Sequence, residues 1–189
     1  MKPDVTGIIL AGGKSSRMGS CKAELILNGV TMIAHQAAKL RSLGIDDIIV
    51  SGYTGAVDGT RYIPDEYPHL GPLGGIHAGM KAARHRDCLV LGVDTPLIPA
   101  PVLSELIEKQ SFGLYPITLL THDGELEPLI GVYSRTLAPA AERILKGENT
   151  SVRVLLREVG FLELPYTGDM LFLTDCNTPE DYAEILKYI

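Results

Sequence analysis

The chain has 189 residues, of which 46% are hydrophobic and 21% are charged, and its formal net charge at pH 7 is −6. This length and balance predict a single α/β domain over residues 1–189 with a sizeable core, and they exclude a largely disordered chain. The negative charge argues against a protein that coats nucleic acid, so any phosphate-binding surface must be local.

The cysteines and the N-terminus exclude several other classes of protein. Three cysteines without a C-x-x-C spacing indicate neither a disulfide framework nor a zinc site. The N-terminal sequence MKPDVT has no apolar signal region, and no run approaches the roughly eighteen apolar residues of a membrane helix. We therefore expect a cytoplasmic protein that has neither membrane nor nucleic acid as a partner.

The order of predicted elements in the first half of the chain indicates a parallel sheet. Residues 5–10 form an apolar, β-branched run that is typical of a strand buried on both faces. A short extended piece follows, and then a helix that Thr31 caps and Gly44 ends. Residues 47–51 are the next strand. A strand, a helix and a strand in this order imply a right-handed βαβ crossover.

Further strands and helices are predicted downstream. The remaining predicted strands are 61–63, 88–93, 114–120, 129–133 and 161–164. The remaining predicted helices follow Pro72, begin near Pro99 and Pro101, and cover 136–146, 152–159 and a last segment capped by Thr178 with Pro179 at its first position.

Residues 8–22, IILAGGKSSRMGSCK, join the first strand to a glycine-rich, cationic loop. Gly12 and Gly13 allow the backbone to approach phosphate oxygens, and successive N–H groups there can form an anion-binding nest. Arg17 and Lys22 add positive charge that can bind a polyphosphate or stabilise charge developing at phosphorus. A plain strand-to-helix turn is the alternative, but three cations in nine residues are more than such a turn needs.

The register of this loop excludes two common phosphate-binding motifs. A Walker A loop needs a glycine five positions before the triplet Gly13-Lys14-Ser15, and Ile8 stands there. The dinucleotide fingerprint G-x-G-x-x-G also fails, because Gly12 and Gly13 are adjacent and no third glycine falls correctly.

Four polar or glycine-rich features follow the predicted strands. In an open parallel sheet, ligands bind outside the carboxyl ends of the strands. The Gly12 loop, Ser51, Asp65 and Asp94 all fall at such ends. We therefore expect these residues to share one ligand site.

Asp94 directly follows the apolar run LVLGV, where a carboxylate is costly unless it is solvated, paired or bound to metal. Magnesium keeps several waters and takes one or two carboxylates plus substrate phosphates, so a single aspartate facing a triphosphate is enough to recruit it. The alternative is that Asp94 only begins an Asp-Thr-Pro turn.

The pattern L-A-G-G-x-S-x-R-M-G-x-x-K resembles the signature of nucleotidyltransferases that transfer a nucleoside monophosphate from a nucleoside triphosphate. Within that superfamily the chain resembles the MobA-like molybdenum cofactor guanylyltransferases, because the motifs G-P-L-G-G, D-T-P, E-P-L and N-T-P-E-D follow in the family's order. The resemblance implies a three-layer, Rossmann-like α/β fold of the nucleotide-diphospho-sugar transferase type with a mostly parallel sheet.

The resemblance also implies an activity. This is the Mg²⁺-dependent transfer of GMP from GTP to molybdopterin, or to its molybdenum-loaded form, with release of pyrophosphate. The implied partners are molybdenum-cofactor biosynthesis proteins or acceptor molybdoenzymes.

The motifs of the family assign roles to individual residues of this chain. The implied nucleotide-binding residues are Leu10, Ala11, Gly12, Gly13, Lys22, Ser51, Asp65, Gly74 and Asp94. The implied catalytic residues are Arg17, Lys22 and Asp94, and the implied metal ligands are Asp94 and Asp175. Asp175 is expected either to hold the metal opposite Asp94 or to orient the pterin.

Some of these roles have ordinary alternatives. Asp65 also fits a plain acidic loop residue, and Asp175 fits a residue beside a helix start. The family often carries asparagine at the position of Ser51. Arg153 and Arg157 could reach a pterin phosphate, but a solvated helix face is the competing interpretation. The five histidines show no metal-binding spacing.

Three other functions are open on the sequence. One is a cytidylyltransferase acting on the same pterin, although its relatives usually read L-A-A-G where this chain has Gly12-Gly13. Another is a nucleotidyltransferase for a different phosphorylated small molecule, such as a sugar phosphate or phospholactate. The last is a non-catalytic nucleotide-binding module, against which the intact Lys22 and Asp94 weigh.

Overall fold

The computed structural model describes residues 2–12 and 21–189. Its strands are β1 (Val5–Leu10), β2 (Ile26–Leu27), β3 (Val30–Thr31), β4 (Asp47–Ser51), β5 (Arg61–Tyr62), β6 (Asp87–Gly92), β7 (Ile117–His122), β8 (Glu125–Ser134) and β9 (Leu162–Pro165). Its α-helices are α1 (Met32–Ser42), α2 (Pro72–Ala82), α3 (Ala100–Ser111), α4 (Ala138–Leu145), α5 (Val152–Val159) and α6 (Pro179–Ile185).

Within these residues, seven strands form one sheet in the order β5-β4-β1-β6-β8-β7-β9, and β2 pairs with β3 in a separate ribbon. Strand β1 pairs in parallel with both β4 and β6, and β4 pairs in parallel with β5. Strand β8 runs antiparallel to its neighbours β6 and β7, whereas β7 and β9 are parallel. The sheet is therefore mostly parallel, as expected.

The sheet has an apolar cluster on each face. All six residues of β1 are buried, and alternate side chains point to opposite faces. Ile9 joins a cluster that includes Leu40 of α1 and Ile185 of α6. Ile8 joins a second cluster that includes Ile76 of α2. Helices thus cover both faces, which gives the three-layer architecture.

Asp47, at the start of β4, fastens several elements to the sheet through its buried carboxylate. It accepts hydrogen bonds from the Thr6 hydroxyl (2.7 Å), the Arg61 guanidinium (2.7 Å) and the Arg84 backbone N–H (3.0 Å). Burial acts to raise the pKa of Asp47, but these hydrogen bonds and the Arg61 charge outweigh it, so that the pKa lies below its ordinary value.

Several predicted boundaries differ from the structure. The strand predicted over 114–120 begins only at Ile117, because Leu114 and Tyr115 are exposed and Pro116 has no N–H for the ladder. The strand predicted over 129–133 extends over the whole of Glu125–Ser134, because its first half pairs with β7 in a hairpin. The helix predicted over 136–146 begins at Ala138, after a short 3₁₀ turn.

Other local predictions are confirmed. Helix α5 has the predicted bounds, and the Thr31 side chain accepts a hydrogen bond from the Ala34 N–H at the start of α1. Thr178 and Asp181 form a capping box at α6. Among residues 2–12 and 21–189, no helix combines the length and hydrophobicity needed to cross a membrane.

Candidate active site

Lys22 joins two distant parts of the chain. Its Nζ lies 3.0 Å from Asp94 Oδ2 and 2.6 Å from Asn177 Oδ1. The short 3₁₀ turn Lys22–Glu24 fixes the start of this side chain, because Ala23 is fully buried. The Lys22 side chain is 17% exposed and that of Asp94 is 28% exposed, so the ion pair is partly shielded but still open to a ligand.

The turn that carries Asp94 is held by the backbone on both sides. The Val93 N–H donates to the Leu10 carbonyl (2.9 Å), and the Asp94 carbonyl accepts from the Cys176 N–H (2.7 Å). A methyl group at Gly92 would lie 2.7 Å from Asp94 Oδ1, which shows that the carboxylate folds back over the Gly92 backbone. The end of β6 and the segment before α6 thus meet at this carboxylate.

Asp175 lies in an acidic environment beside Asp94. Burial, with the negative charges of Asp94 and Glu127, raises the pKa of Asp175 to about 6 against the opposing charge of Lys22. Carboxylate groups that repel one another attract a cation, and oxygen donors of this kind suit Mg²⁺. No group of three or more His, Cys, Asp or Glu able to hold a metal occurs among the described residues. A protein ligand set of one or two carboxylates fits a metal that also binds substrate phosphates.

The strand ends β1 and β4 approach each other closely next to this site. The Ala11 N–H donates to the Ser51 carbonyl (2.8 Å). A methyl group at Gly52 would lie 2.3 Å from the Gly12 Cα, so the two loops touch through their backbones. Only glycine fits position 52, where φ is also positive at 84°. The Gly12 loop and Ser51, which were expected to share a ligand site, therefore lie next to each other, and their role in binding a nucleotide stays a prediction.

The first turn of α2 completes this part of the site. A methyl group at Gly74 would lie 2.5 Å from an oxygen of Asp65, and one at Gly75 would lie 2.9 Å from Leu10 Cδ2 and 3.0 Å from Ser51 Oγ. The small residues of the G-P-L-G-G motif therefore let the helix approach the ends of β1 and β4. Asp65 is held in place because its carboxylate accepts the Tyr67 N–H (2.8 Å).

Some of the predicted phosphate-binding residues are not among those that the structure describes. Gly13, Lys14 and Arg17 lie outside the described residues. Their proposed phosphate-binding roles remain predictions.

An open cleft of about 820 Å³ borders the same edge of the sheet. Gly71 and Pro72 form one wall, the 148–153 segment forms another, and Pro128 and Leu129 lie between them. Leu129 also adjoins Gly92, since its Cβ would lie 3.9 Å from a methyl group there. One wall residue of the cleft thus lies next to the end of the strand that leads to Asp94. Arg153 lines it and Arg157 does not.

Two contributors were given no specific role from the sequence. The sequence around Asn177 predicts only a helix start, yet its side chain accepts a hydrogen bond from Lys22. His122 hydrogen-bonds Glu127 (Nε2 to Oε1, 2.7 Å) across the hairpin, which fixes the carboxylate that acts on Asp175. The N-T-P-E-D and E-P-L motifs were the available signals, but neither motif reveals a contact partner.

Comparison with solved structures places the fold. Molybdopterin-guanine dinucleotide biosynthesis protein A from Archaeoglobus fulgidus superposes with a TM-score of 0.80 at 21% identity, covering 97% of this chain and 100% of that one. A nucleotidyl transferase from Methanothermobacter thermautotrophicus gives a TM-score of 0.78 at 19% identity, with 97% and 96% covered. The sheet and the helices that cover it are therefore those of the nucleotidyltransferase fold.

Sequence comparison then gives the family. Residues 7–162 match the model of the MobA-like NTP transferase domain, and the chain belongs to that family. The chain is 33% identical to the probable molybdenum cofactor guanylyltransferase of Carboxydothermus hydrogenoformans, over 97% of this chain and 96% of the relative. It is 34% identical to the molybdenum cofactor guanylyltransferase of Pseudomonas fluorescens Pf0-1, over 94% and 92%.

Proposed function

We propose that this protein is a molybdenum cofactor guanylyltransferase, which transfers GMP from GTP to molybdopterin or its molybdenum-loaded form and releases pyrophosphate. The observation that carries the proposal is the bridge from Lys22 to Asp94 and Asn177 at the carboxyl edge of the sheet. The names of the full-length relatives support the choice of nucleotide and acceptor.

The reaction is an in-line displacement at the α-phosphorus of GTP. An oxygen of the acceptor's terminal phosphate forms the new bond to that phosphorus, and the bond to the oxygen leading to the β-phosphate breaks. The acceptor phosphate is already ionised, so the chain need not supply a strong base. Its task is to position the reactants and stabilise charge.

Lys22 is placed to supply positive charge where negative charge develops, and Arg17 with the amides of Gly12 and Gly13 is proposed to add to it. Asp94, with Asp175 beside it, would hold Mg²⁺. When bound, Mg²⁺ neutralises phosphate charge and favours departure of pyrophosphate.

The nucleotide is proposed to bind along the ends of β1 and β4. Leu10, Ala11, Gly12 and Ser51 meet there, and Asp65, in the loop before α2, lies against Gly74 in the first turn of that helix. Gly74 and Gly75 let the first turn of α2 lie against Asp65, Leu10 and Ser51, which keeps this group together beside the proposed nucleotide position.

The acceptor is proposed to occupy the cleft between Gly71-Pro72 and the 148–153 segment. This cleft borders the Asp94 turn through Leu129, so a ligand within it can approach the nucleotide phosphates. Arg153 lines the cleft and is suited to the acceptor's phosphate, since a guanidinium binds phosphate oxygens in pairs.

Release of pyrophosphate tests the proposal. Each nucleoside triphosphate is supplied with Mg²⁺, in the presence and absence of molybdopterin. Release with GTP that depends on molybdopterin supports the assignment, whereas release with CTP identifies a cytidylyltransferase. If GTP releases pyrophosphate only when another phosphorylated small molecule is added, that molecule is the acceptor. If GTP binds but no pyrophosphate is released under any condition, the protein is a non-catalytic nucleotide-binding module.

The cellular setting is proposed in the same way. The protein is proposed to be a cytoplasmic enzyme that exchanges its pterin with other molybdenum-cofactor biosynthesis proteins or acceptor molybdoenzymes. It is proposed to bind neither nucleic acid nor membrane, in agreement with its net charge of −6.

A further inference from the structure

Helix α1 holds the turn that carries Asp94 from behind. The Gln36 side chain is fully buried, and its Nε2 donates to the Gly92 carbonyl (2.9 Å) and the Thr95 carbonyl (3.1 Å). Both acceptors flank Asp94 in the chain. One amide group therefore spans the aspartate from the residue two before it to the residue after it.

Neighbouring side chains reinforce the same turn. The Thr95 hydroxyl also donates to the Gly92 carbonyl (3.3 Å). Two other side chains of α1 contact the Pro96 carbonyl oxygen. His35 Nε2 lies 3.3 Å from it, and Lys39 Nζ lies 2.5 Å from it. A carbonyl at the end of a strand lacks a partner in the sheet, and a buried carbonyl without a hydrogen bond destabilises the fold.

The position of the Gly92 backbone governs the Asp94 carboxylate directly. Asp94 Oδ1 folds back over Gly92, and Oδ2 accepts the hydrogen bond from Lys22. If the Gly92 carbonyl rotates, the surface beneath Oδ1 moves with it. A group that fixes the Gly92 carbonyl therefore also fixes the direction in which the Asp94 carboxylate oxygens point.

We propose that Gln36 is a positioning residue for the nucleotidyl transfer, which acts through the Gly92 and Thr95 carbonyls to orient Asp94 toward the Mg²⁺ of the bound nucleotide. The inference rests on the proposed function. It assigns a share of the metal affinity to a helix that contributes no residue to the proposed nucleotide-binding group.

The test compares two buried glutamines. Gln36→Met keeps the length and removes the donors. Gln110→Met is the matched control. Gln110 is also buried on a helix, but its side chain donates to the Tyr115 carbonyl (3.1 Å) and accepts from the Thr118 hydroxyl (2.7 Å), neither of which belongs to the Asp94 turn. GTP binding is measured by calorimetry with and without Mg²⁺, and the Mg²⁺ concentration for half-maximal pyrophosphate release is measured beside it.

Loss of a group that orients a metal ligand lowers metal affinity by about 10- to 100-fold. We expect Mg²⁺ to increase the GTP affinity of Gln36→Met by a factor at least about tenfold smaller than in the wild type. The variant should also need correspondingly more Mg²⁺ for half-maximal pyrophosphate release. Gln110→Met should lose thermal stability and keep the wild-type Mg²⁺ gain.

A folded Gln36→Met protein with the wild-type Mg²⁺ gain overturns the inference and leaves the proposed function intact. A wild-type protein whose GTP binding does not respond to Mg²⁺ overturns both. If Gln36→Met does not fold, Thr95→Val decides, because it removes only the hydroxyl bond to the Gly92 carbonyl. A smaller loss of the Mg²⁺ gain, a few-fold, supports the inference, and no loss overturns it.

Discussion

Lys22 donates to one oxygen of Asp94 and one oxygen of Asn177, so that a single ammonium group links β6 to the segment before α6. Removing the lysine leaves Asp94 beside the Asp175 carboxylate without its compensating charge. Removing Asp94 instead takes away the candidate metal ligand. The two substitutions should therefore damage the same step by different routes.

Lys22→Ala and Asp94→Ala should each lower the turnover of pyrophosphate release by roughly a hundredfold or more, the scale of one lost transition-state donor. Turnover is measured at saturating GTP and Mg²⁺. Lys2→Ala, which breaks an exposed ion pair with Asp46, is the matched control and should keep the wild-type rate. Near-wild-type turnover in both site variants would contradict the proposed roles.

The pKa of Asp175 is about 6 instead of the ordinary 3.8, which makes the stability of the protein depend on pH. As the pH rises from about 4 to about 6, the unfolded chain releases this proton before the folded chain does, so the raised pKa lowers the free energy of unfolding across that window. In metal-free buffer, Asp175→Asn should be more stable than the wild type above pH 6, and the difference should vanish near pH 4.

Thermal unfolding of the wild type and Asp175→Asn at several pH values measures this effect. Asp58→Asn, at an exposed loop position, is the control for loss of one carboxylate. An Asp175→Asn protein that is no more stable than the wild type at pH 8 would falsify the raised pKa.

Among the secondary-structure elements, Asp47 of β4 links β1 and β5 to the segment after α2 through hydrogen bonds. Asp47→Ala should lower the free energy of unfolding by about 3–5 kcal/mol, because it leaves the Arg61 guanidinium and two other donors without their buried partner. Chemical denaturation measures the loss. Asp46→Ala, at the neighbouring but exposed position, should change stability little.

The pH dependence of Asp47 has the opposite sign from that of Asp175. Because the pKa of Asp47 lies below its ordinary 3.8, its contribution to stability is present above that pH and is lost as the pH falls through the folded-state pKa. The difference in stability between the wild type and Asp47→Ala should therefore shrink in acid.

Elements with strong local signals could be predicted from the sequence. Strand β1 is a continuous apolar run, and α6 begins with a cap, a proline and two acidic residues. The start of β7 and the length of β8 could not be predicted, because hairpin pairing brings polar residues such as Glu125 and Glu127 into a strand that has no clear alternation.

The same distinction holds for the site. The strand-end rule alone brings Gly12, Ser51 and Asp94 to one edge, and the structure agrees. The partnership of Lys22 with Asn177 spans 155 positions, and that of Gln36 with Gly92 spans 56. No local pattern marks such contacts, since they follow from how helices and loops pack on the completed sheet.

At the scale of the whole molecule, α6 closes the chain back onto its first half. Ile185 is fully buried in the cluster that contains Ile9, and the Tyr182 hydroxyl donates to the Ile26 carbonyl (2.6 Å). The neighbouring Leu186 is 44% exposed. The packing of this helix thus supports the segment that delivers Asn177 to Lys22.

Ile185→Ala should lower the free energy of unfolding by about 2–5 kcal/mol through the cavity that it leaves. It should also reduce pyrophosphate release more than its effect on the folded fraction explains, because α6 loosens beside the site. Denaturation and turnover are measured together, with Leu186→Ala as the matched control. Equal losses of stability in the two variants would rule out this role for α6.

The bridge from Lys22 to Asn177 also has a consequence for protein synthesis. A ribosome that adds about 5–20 residues per second needs roughly 8–30 s to travel the 155 positions between them. During that interval the nascent chain carries its nucleotide loops and most of its sheet, but the lysine lacks one of the oxygens that hold it. The bridge therefore closes only after residue 177 has been added, and a polypeptide that stops before Asn177 lacks one of the oxygens that fix the ammonium group.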